Sequence, residues 1–520
     1  MTALSHDRST RLTAVSGVRS REEVQSPPSL LIRRVRLGSG GPTVDVRTSG
    51  GAIAQIGDLT PGTRESTIDG TGATLLPGFV DGHLHMVQWA TSRSHIDVGA
   101  ARSARHAVQL LVAAVSDRAE RTTVLVAYGF RDGLWTEPPH KDLLEAALPG
   151  RALAIMSQDL HAMWLSPAGL AQIGVDHPTG VLREQECMAA RFAIGALESA
   201  GVVDGWVVDA TRALARVGIT EVIDYEFADN ATDWVRRTAS GQVAVRVRAS
   251  VWQPWLDESI ERGLRTGDPV ADTRGLVEVG PFKLISDGSL NTRTAYCYEP
   301  YPDAPSPQDA YGLQLIAPDE LAALMAKGDR HGLRPAVHAI GDHANAVALA
   351  AFEQVGCAGR IEHAQLVRAQ DAHRFARPGL VTSVQPQHAT ADRDVADHHW
   401  HGRTAQAFPY AALLAAGARL ELGSDAPVAE PNPWHAVTAA VARTDDDRPP
   451  WHPEQAIPLQ AALAAASAGR TAIRPGARAD LVLAAADPAD LGLADLRDIP
   501  VLATVLGGLV TYRSDDDTRG

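Results

Sequence analysis

Short alternating segments near both ends of the chain predict β-strands. Hydrophobic and polar residues alternate in residues 30–37, 43–50 and 51–58, and glycines separate these segments. Alternation places successive side chains on opposite faces of a strand, and glycine suits the tight turns between strands. Residues 478–486 and 501–513 show the same pattern. We therefore expect the two ends of the chain to share one small β-region.

The central part of the chain alternates short apolar runs with longer segments rich in Ala and Leu. One such segment, residues 318–332, opens with proline and acidic residues and closes with histidine and glycine, as helices do. Strands alternating with helices over ~390 residues predict parallel βα units and an elaborated (β/α)8 barrel. A doubly wound open sheet is the competing arrangement. Its nucleotide-binding form is disfavoured because the sequence has no GxGxxG motif and no phosphate loop.

Composition and charge narrow the classes of partner. The 520 residues are 45% hydrophobic and 21% charged, with 48 basic and 62 acidic side chains and a formal charge of −14. This negative charge repels phosphate backbones, so we expect no nucleic-acid partner. No apolar run reaches the ~18 residues of a membrane helix, so we expect no membrane partner either. The three scattered cysteines and the absence of a secretory signal predict a cytoplasmic location.

The segment LLPGFVDGHLH carries the strongest local signal for chemistry. It places His83 and His85 two residues apart at the end of an apolar run. On a strand, such residues point to the same face, and neutral imidazole nitrogens bind divalent metals such as zinc. Two histidines at this spacing, taken alone, are nevertheless more often structural than metal-binding.

Four further apolar runs each carry one candidate ligand near their end. Taken singly, these residues have structural explanations as a surface-reaching lysine, core histidines and a helix-capping aspartate. In a parallel barrel, however, catalytic residues gather at the carboxyl ends of the strands. Together with the histidine pair they predict a metal centre there. The four residues are Lys283 in GPFKLISDGS, His338 in LRPAVHAIGD, His363 in GRIEHAQL and Asp425 in ARLELGSDAP.

The order HxH, Lys, His, His, Asp resembles the amidohydrolase superfamily of metal-dependent hydrolases. The chain is similar in particular to the YtcJ-like branch, amidohydrolase family 3, which includes the N-substituted formamide deformylases. This similarity rests on FKLISDGSLNTRTA, HAIGDHANAVALAAFE, RIEHAQLV, SVQPQHATAD and LLAAGARLELGSDAPVAEPNPW, and extends over about residues 30–512. The resemblance implies a distorted (β/α)8 TIM barrel with a small β-sandwich built from both chain termini.

The expected domain boundaries follow from the patterns and the resemblance. Residues 1–28 are polar and end in a Pro-Pro pair, which predicts a flexible N-terminal tail. Residues 29–76 together with 470–513 would form the composite β-sandwich. Residues 77–469 would form the metal-dependent hydrolase barrel.

The resemblance also implies two divalent metal ions, with zinc as the expected metal. His83 and His85, with a contact from Asp425, would bind the more buried ion, and the two later histidines the more exposed one. Lys283 would bridge both ions as an N6-carboxylated lysine, because an ammonium group cannot ligate a cation. The implied ligands are His83, His85, Lys283, His338, His363 and Asp425.

These ligands imply a hydrolytic mechanism. A hydroxide activated by the metals would attack a carbonyl group, and Asp425 would act first as general base and then as general acid. We expect hydrolysis of a non-peptide C–N bond, an amide or N-formyl group, of a small molecule. A lactone or cyclic amide substrate, a non-catalytic binding barrel, and metal-assisted isomerisation or decarboxylation remain alternatives. The sequence does not fix the oligomeric state, for which a homodimer is the candidate.

Further residues are expected to shape the substrate pocket. Aromatic walls suit an apolar or aryl substrate, although packing under loops explains each tryptophan equally well. His161 in QDLHAMW would donate to the oxyanion, with Leu160 standing where the family typically has glycine. The expected substrate-binding residues are Trp89, Trp135, Trp164, Arg293 as an anion contact, and His388.

The cluster of His398, His399 and His401 resembles a metal-binding tract only by composition. It lies in a polar stretch with no strand to orient its rings. We therefore expect a surface loop there.

Overall fold

The computed structural model describes residues 29–514 except 64, 95, 116–123, 133–134, 159–161, 196 and 303–309. The tail predicted at residues 1–28 lies outside the described residues. The strands are β1 (Leu30–Leu37), β2 (Thr43–Ser49), β3 (Ala52–Gly57), β4 (Ser66–Asp69), β5 (Thr74–Pro77), β6 (Phe79–Leu84), β7 (Ile96–Asp97), β8 (Leu125–Phe130), β9 (Leu153–Ser157), β10 (Ala162–Leu165), β11 (Val181–Arg183), β12 (Ile219–Asp224), β13 (Arg246–Trp252), β14 (Val277–Ile285), β15 (Pro335–Ala339), β16 (Gly359–His363), β17 (Leu380–Val384), β18 (Arg419–Leu422), β19 (Leu481–Ala484), β20 (Val501–Leu506) and β21 (Leu509–Arg513).

Helices connect most of these strands. The segment predicted as a helix at residues 318–332 forms α9, with proline in its first turn and basic residues in its last turn. The helices are α1 (Met86–Ser94), α2 (Ala104–Val115), α3 (Lys141–Ala147), α4 (Pro167–Gln172), α5 (Glu184–Gly195), α6 (Ala200–Arg216), α7 (Asn230–Thr238), α8 (Leu256–Glu261), α9 (Pro318–Arg330), α10 (Asp342–Val355), α11 (Pro386–Ala391), α12 (Arg393–His399), α13 (Tyr410–Ala415), α14 (Pro433–Ala442), α15 (Leu459–Ala465) and α16 (Leu493–Arg497).

Eight parallel strands form a nearly closed barrel in the order β6, β12, β13, β14, β15, β16, β17, β18. Leu84 of β6 forms a parallel bridge with Ala426, just after β18, which brings the first and last strands together. Every residue of β6 and β12 is buried, as expected for parallel strands covered on both faces. The barrel prediction is confirmed, and this closure excludes the open doubly wound sheet.

The barrel departs from regular alternation after β16. A 3-10 segment, Ala369–Ala376, takes the place of an α-helix between β16 and β17.

An additional five-stranded sheet of β7 to β11 lies in the chain between β6 and β12. It has its own hydrophobic cluster, which includes Leu111, Leu153 and Trp164.

The two ends of the chain share a second sheet, as the sequence predicts. Its main path runs β21, β20, β19, β5, β1, β2, β3, and β4 pairs with β1. The join between the ends is antiparallel, with Leu481 of β19 opposite Pro77 of β5. The described strands of this region form one continuous sheet, so the sandwich and its boundaries stay a prediction. Because β5 leads directly into β6, this sheet also anchors the strand that carries His83.

The histidine cluster that was predicted as a surface loop is partly helical. His398 and His399 lie in the last turn of helix α12, so the expectation of a loop was wrong at these positions. Histidines in the last turn and Asp394 in the first turn suit the helix dipole, which explains a helix in this polar stretch.

In the described part of the chain, no helix combines the length and the apolar composition needed to cross a bilayer.

Candidate active site

Strand β6 and the loop after β18 meet at the centre of the site. Nε2 of His83 and Nε2 of His85 each lie 3.5 Å from Oδ1 of Asp425. Nζ of Lys283 lies 3.4 Å from Nε2 of His83. These four side chains come from β6 and the residue just after it, from β14, and from the loop after β18. The barrel therefore brings together side chains that are far apart in the sequence.

The two later histidines adjoin this group. The ring centroid of His363 lies 4.8 Å from that of His83 and 4.5 Å from that of His338. One possible ligand atom from each of His363, His388 and Asp425 lies within 4.8 Å of the others. All six expected ligands are thus neighbours, and their individual roles as ligands stay predictions. His388, expected as a substrate contact, lies in the same cluster.

Hydrogen bonds fix which nitrogen each histidine presents to the centre. Nδ1 of His83 lies 2.7 Å from Oε2 of Glu362, and Nδ1 of His363 lies 2.9 Å from Oε1 of Gln385. Each Nδ1 therefore carries the proton and leaves Nε2 as an electron-pair donor. Nε2 of His338 donates instead to the carbonyl of Gly288 at 3.2 Å, which leaves Nδ1 of this ring free to bind.

The residues around Glu362 form a buried charged network. Its carboxylate accepts from the Tyr225 hydroxyl at 2.9 Å and from Nε of Arg360 at 2.8 Å. Nη1 of Arg360 donates to Glu421 at 2.5 Å. Sequence reasoning did not single out these residues, although Glu362 stands beside His363 in the same segment. Arg360 and Glu362 are two apart on β16, a spacing that could have indicated a shared face.

The backbone leaves the ordinary strand conformation at two site residues. His363 has φ 77° and Asp425 has φ 58°, both in the left-handed region that non-glycine residues rarely adopt. Such strain persists only where surrounding contacts enforce it, and it is common at functional sites. At His363 it breaks the alternation of β16, so Glu362 and His363 both reach the centre. Two residues before Asp425, Gly423 lets the chain pass close to β6, because a Cβ there would lie 2.6 Å from the His83 amide nitrogen.

Buried carboxylates hold the loops that carry the site. Asp81 accepts from the amides of His83 and Ser424 at 3.1 and 3.0 Å and from the Ser424 hydroxyl at 2.6 Å. It thereby ties β6 to the residue before Asp425. Helix α1 begins directly after His85, and Asp224 accepts from the amide of Met86 at 3.0 Å. A carboxylate there is favoured by the N-terminal end of the helix dipole.

Burial controls the protonation of the site. It lowers the pKa of His83 to about 4 and that of His338 to about 3, so both rings are neutral near pH 7. Burial also lowers the pKa of Lys283 to about 8. Burial by itself raises the pKa of Asp425, but the imidazoles of His83 and His85 hold it well below its usual range. The site therefore combines neutral imidazoles with an ionised carboxylate.

This donor set suits a divalent cation. Neutral imidazole nitrogens and a carboxylate are the ligands that zinc and similar ions prefer. One possible ligand atom from each of His83, His85 and Asp425 lies within 4.8 Å of the others. Nδ1 of His85 is also buried without a hydrogen-bond partner among the described residues, and unpaired buried polar atoms are costly unless a ligand or ion satisfies them. The residues present therefore fit a metal centre.

The tryptophans expected at the pocket are packed to different extents. Trp89, on α1, is 7% exposed and lies under the guanidinium of Arg93. Trp164 is fully buried, edge-on to Phe130, and exposes no surface to a substrate in this structure. Packing in the core of the added sheet accounts for it. Trp135 is partly buried against the same cluster. The substrate contacts of all three stay predictions.

The remaining expected pocket residues also differ in position. His161 and Leu160 lie outside the described residues. Arg293 has φ 59° in the loop after β14 and is partly buried. Its neighbour Asn291 donates to Asp392 at 3.1 Å. His388, on α11, is 5% exposed, and the Gln365 amide donates to its Nδ1 at 3.3 Å. That contact places the proton of His388 on Nε2.

A nearly closed parallel barrel with imidazoles, a carboxylate and a buried lysine at the carboxyl ends of its strands is the arrangement of barrel hydrolases. The Amidohydrolase family model matches residues 66–512, and the chain belongs to this family. This confirms the resemblance predicted from the motifs.

Relatives match over most of their length. The chain is 28% identical to LONG AFTER FAR-RED 3 of Arabidopsis thaliana, covering 88% of this chain and 85% of that protein. It is 26% identical to YtcJ of Bacillus subtilis, covering 87% and 91%. It is 24% identical to the N-substituted formamide deformylase of Arthrobacter pascens, covering 90% and 94%. An uncharacterized metal-dependent hydrolase from Pyrococcus horikoshii has the same fold, with a TM-score of 0.77, 24% identity, and coverage of 90% and 99%.

Proposed function

We propose that this protein hydrolyses a non-peptide C–N bond of a small molecule, an amide or an N-formyl group. The observation that carries the proposal is the cluster of buried and partly buried side chains at the carboxyl end of the barrel: His83, His85, Lys283, His338, His363 and Asp425. Membership of the amidohydrolase family supports a hydrolase that uses divalent metal. The N-substituted formamide deformylase among the relatives supports the choice of bond.

The proposed metal centre would hold two divalent ions, most suitably zinc. His83 and His85 would hold one ion together with Asp425, and His338 and His363 the other. Bound ions of this kind lower the pKa of water and polarise a carbonyl group. The hydrogen bonds from Nδ1 of His83 and from Nε2 of His338 orient the rings for this role.

Lys283 is proposed to bridge the ions as an N6-carboxylated lysine. Its side chain is buried, and among the described residues it forms no ion pair with a carboxylate. Burial lowers the pKa of Lys283 to about 8, so a useful fraction of the amine is uncharged near neutral pH. An uncharged amine adds to carbon dioxide and loses one proton, which gives a carbamate. The product is an anion that can ligate cations where an ammonium cannot.

Asp425 is proposed to move the proton during hydrolysis. Its carboxylate accepts the proton of the attacking water and passes it to the departing nitrogen, which leaves as an amine. The depressed pKa of Asp425 keeps it in the accepting form before the reaction. The left-handed backbone at Asp425 aims its carboxylate at the imidazoles, 3.5 Å away.

The rim of the site favours a substrate with an apolar group. Several large hydrophobic side chains are exposed in the loops that follow barrel strands: Phe227 after β12, Tyr298 and Leu315 after β14, and Val428 after β18. Phe227 is also packed edge-on against Trp252 and Trp255. Exposed apolar side chains around a pocket suit an apolar or aryl part of a ligand.

A substrate panel tests the proposal. Protein expressed with zinc and bicarbonate is offered N-formylbenzylamine, N-acetylbenzylamine, an aryl lactone and a cyclic amide, with Asp425→Asn as the control. We expect equimolar acid and amine from one of the two amides. Turnover of the lactone or cyclic amide alone would replace the proposed bond by that alternative. Products of unchanged mass, or released carbon dioxide, would indicate isomerisation or decarboxylation.

A further inference from the structure

A cavity lies at the end of the barrel opposite the candidate active site, next to the sheet that both ends of the chain share. Its volume is about 600 Å³. Its lining includes charged residues at the amino ends of three barrel strands. Glu221 and Arg248 are the third residues of β12 and β13, and Arg419 is the first residue of β18. The rest of the lining comes chiefly from residues 468–481, the connection to β19. The predicted metal ligands lie near the carboxyl ends of β6, β14, β15, β16 and β18, whereas this cavity adjoins the amino ends of barrel strands, so it is separate from the active site.

Positive charge is concentrated around this cavity. Arginines outnumber carboxylates among its lining residues, whereas the whole chain has a formal charge of −14. Such a cluster in an acidic protein creates a local potential that attracts anions. The charged lining residues are Arg248, Arg419, Arg470, Arg474 and Arg478, with Glu221 and Asp480.

Buried carboxylates hold part of this cluster in place. Glu221 is 3% exposed and contacts both Arg248 and Arg470. Arg470 also donates to the carbonyls of Ser467 and Gly78 at 3.1 Å. A guanidinium has five N–H donors, so Arg248 keeps donors for a ligand while Glu221 fixes its position. Asp480 is occupied by Arg246, which donates to it at 2.8 Å.

The outer arginines are more available. Arg419 and Arg478 have side chains 59% and 54% exposed and pair with Glu421 and Glu278 at 2.9 and 3.0 Å. The side chain of Arg474 forms no ion pair or hydrogen bond with any residue that the structure describes, and it is exposed. Among the described residues, Arg474 therefore has no counter-charge.

We propose that this cavity binds a small phosphorylated molecule. Guanidinium groups form paired hydrogen bonds with phosphate oxygens, and several of them converge on one space here. Small-molecule sites in proteins have volumes of ~300–1,000 Å³, so the cavity has room for a sugar-sized molecule besides its phosphoryl groups. Because it contacts both the barrel and the chain leading to β19, an occupied site also stabilises the join between them.

Isothermal titration of the full-length protein with fructose 1,6-bisphosphate tests the proposal. Titrations are made at one ionic strength set with chloride, and succinate is titrated as a dicarboxylate without phosphoryl groups. We expect the bisphosphate to bind at one site per chain and to bind at least ~10-fold more tightly than succinate. Absence of bisphosphate binding, or equal binding of succinate, would overturn the assignment of phosphoryl chemistry.

Matched variants locate the binding. The double variant Arg474→Gln/Arg478→Gln removes two outer guanidinium groups, and we expect its affinity for the bisphosphate to fall at least ~10-fold. Arg212→Gln, an arginine of similar exposure on α6, is the control and keeps its affinity. Ala472→Glu adds a carboxylate to the lining without deleting a contact and should weaken binding likewise. Unchanged affinity in folded forms of these cavity variants would place the anion elsewhere, for example at the metal centre.

Discussion

The carboxylate of Glu362 accepts a hydrogen bond from Nδ1 of His83 at 2.7 Å, and both side chains are buried. Tyr225 and Arg360 hold the same carboxylate from other directions. This arrangement fixes the tautomer of His83 and directs Nε2 toward Asp425 and Lys283. The orientation of His83 in the proposed metal centre is thus determined partly by a residue that is not itself a predicted ligand.

Substitution Glu362→Gln should weaken metal binding. The amide keeps the shape of the side chain but removes the charge that makes His83 a stronger donor, so we expect zinc affinity to fall ~10–100-fold. A competition titration against a zinc-binding dye measures this change. Glu353→Gln, which removes a half-exposed partner of Arg374, is the control with unchanged zinc affinity. Equal affinities in the two variants would refute the positioning role of Glu362.

Substitution Asp425→Asn should separate chemistry from metal content. An amide oxygen can still approach a cation, but it cannot take up the proton of the attacking water. We therefore expect metal content close to that of the wild type and a loss of turnover of at least ~10²-fold. Metal analysis and steady-state kinetics on one preparation measure both. Retained activity would remove Asp425 from the proton-transfer step.

His388→Gln tests the unpaired Nε2 atom of this buried histidine. With its proton on Nε2, His388 would donate to the carbonyl oxygen of the substrate, and we expect kcat to fall ~10²–10³-fold. Zinc content should not change. His373→Gln, at an exposed position in the segment between β16 and β17, serves as the control. Loss of zinc together with activity would instead identify His388 as a metal ligand.

Glu65 should contribute stability that depends on pH. The hydrogen bond from Arg47, with help from Ser29, lowers the pKa of Glu65 to about 2. A depressed carboxyl pKa stabilises the folded state above the unfolded value of ~4.5, and this gain is lost as pH falls toward 2. Glu65→Gln should cost up to ~3 kcal/mol at pH 7 and progressively less below pH 4.5.

Urea unfolding at pH 7.0, 5.0 and 3.5 measures the effect. Glu430→Gln replaces a carboxylate whose side chain is 69% exposed, and its difference from the wild type should be small at each pH. A Glu65→Gln deficit that stays constant from pH 7.0 to 3.5 would show that the ionised carboxylate is not the source of the stabilisation.

Much of the architecture was predictable because it follows from local periodicity. The alternating segment at β1 and the capped segment at α9 occur where the hydrophobic pattern predicts them. The convergence of His83, His338 and His363 was predictable because parallel barrel strands end at one rim. Each of these inferences needs only the spacing of residues and a general rule of packing.

Other features depend on backbone geometry that spacing does not reveal. Strand alternation predicts that Glu362 and His363 point to opposite faces, but φ 77° at His363 brings both to the centre. The helix that ends at His399 was missed because its residues have no apolar periodicity. The complete burial of Trp164 in the added sheet is also not evident from its motif, and its contact with substrate stays a prediction. In each case tertiary contacts outweigh the local pattern.

The number of metal ions per chain tests the proposed mechanism most directly. Protein expressed with zinc and bicarbonate is analysed by plasma mass spectrometry, and the wild type is compared with Lys283→Ala. We expect about two ions per chain in the wild type and fewer in a folded Lys283→Ala variant. One ion in both proteins would contradict the bridging role of Lys283. A folded wild type without bound metal would contradict the metal-dependent mechanism itself.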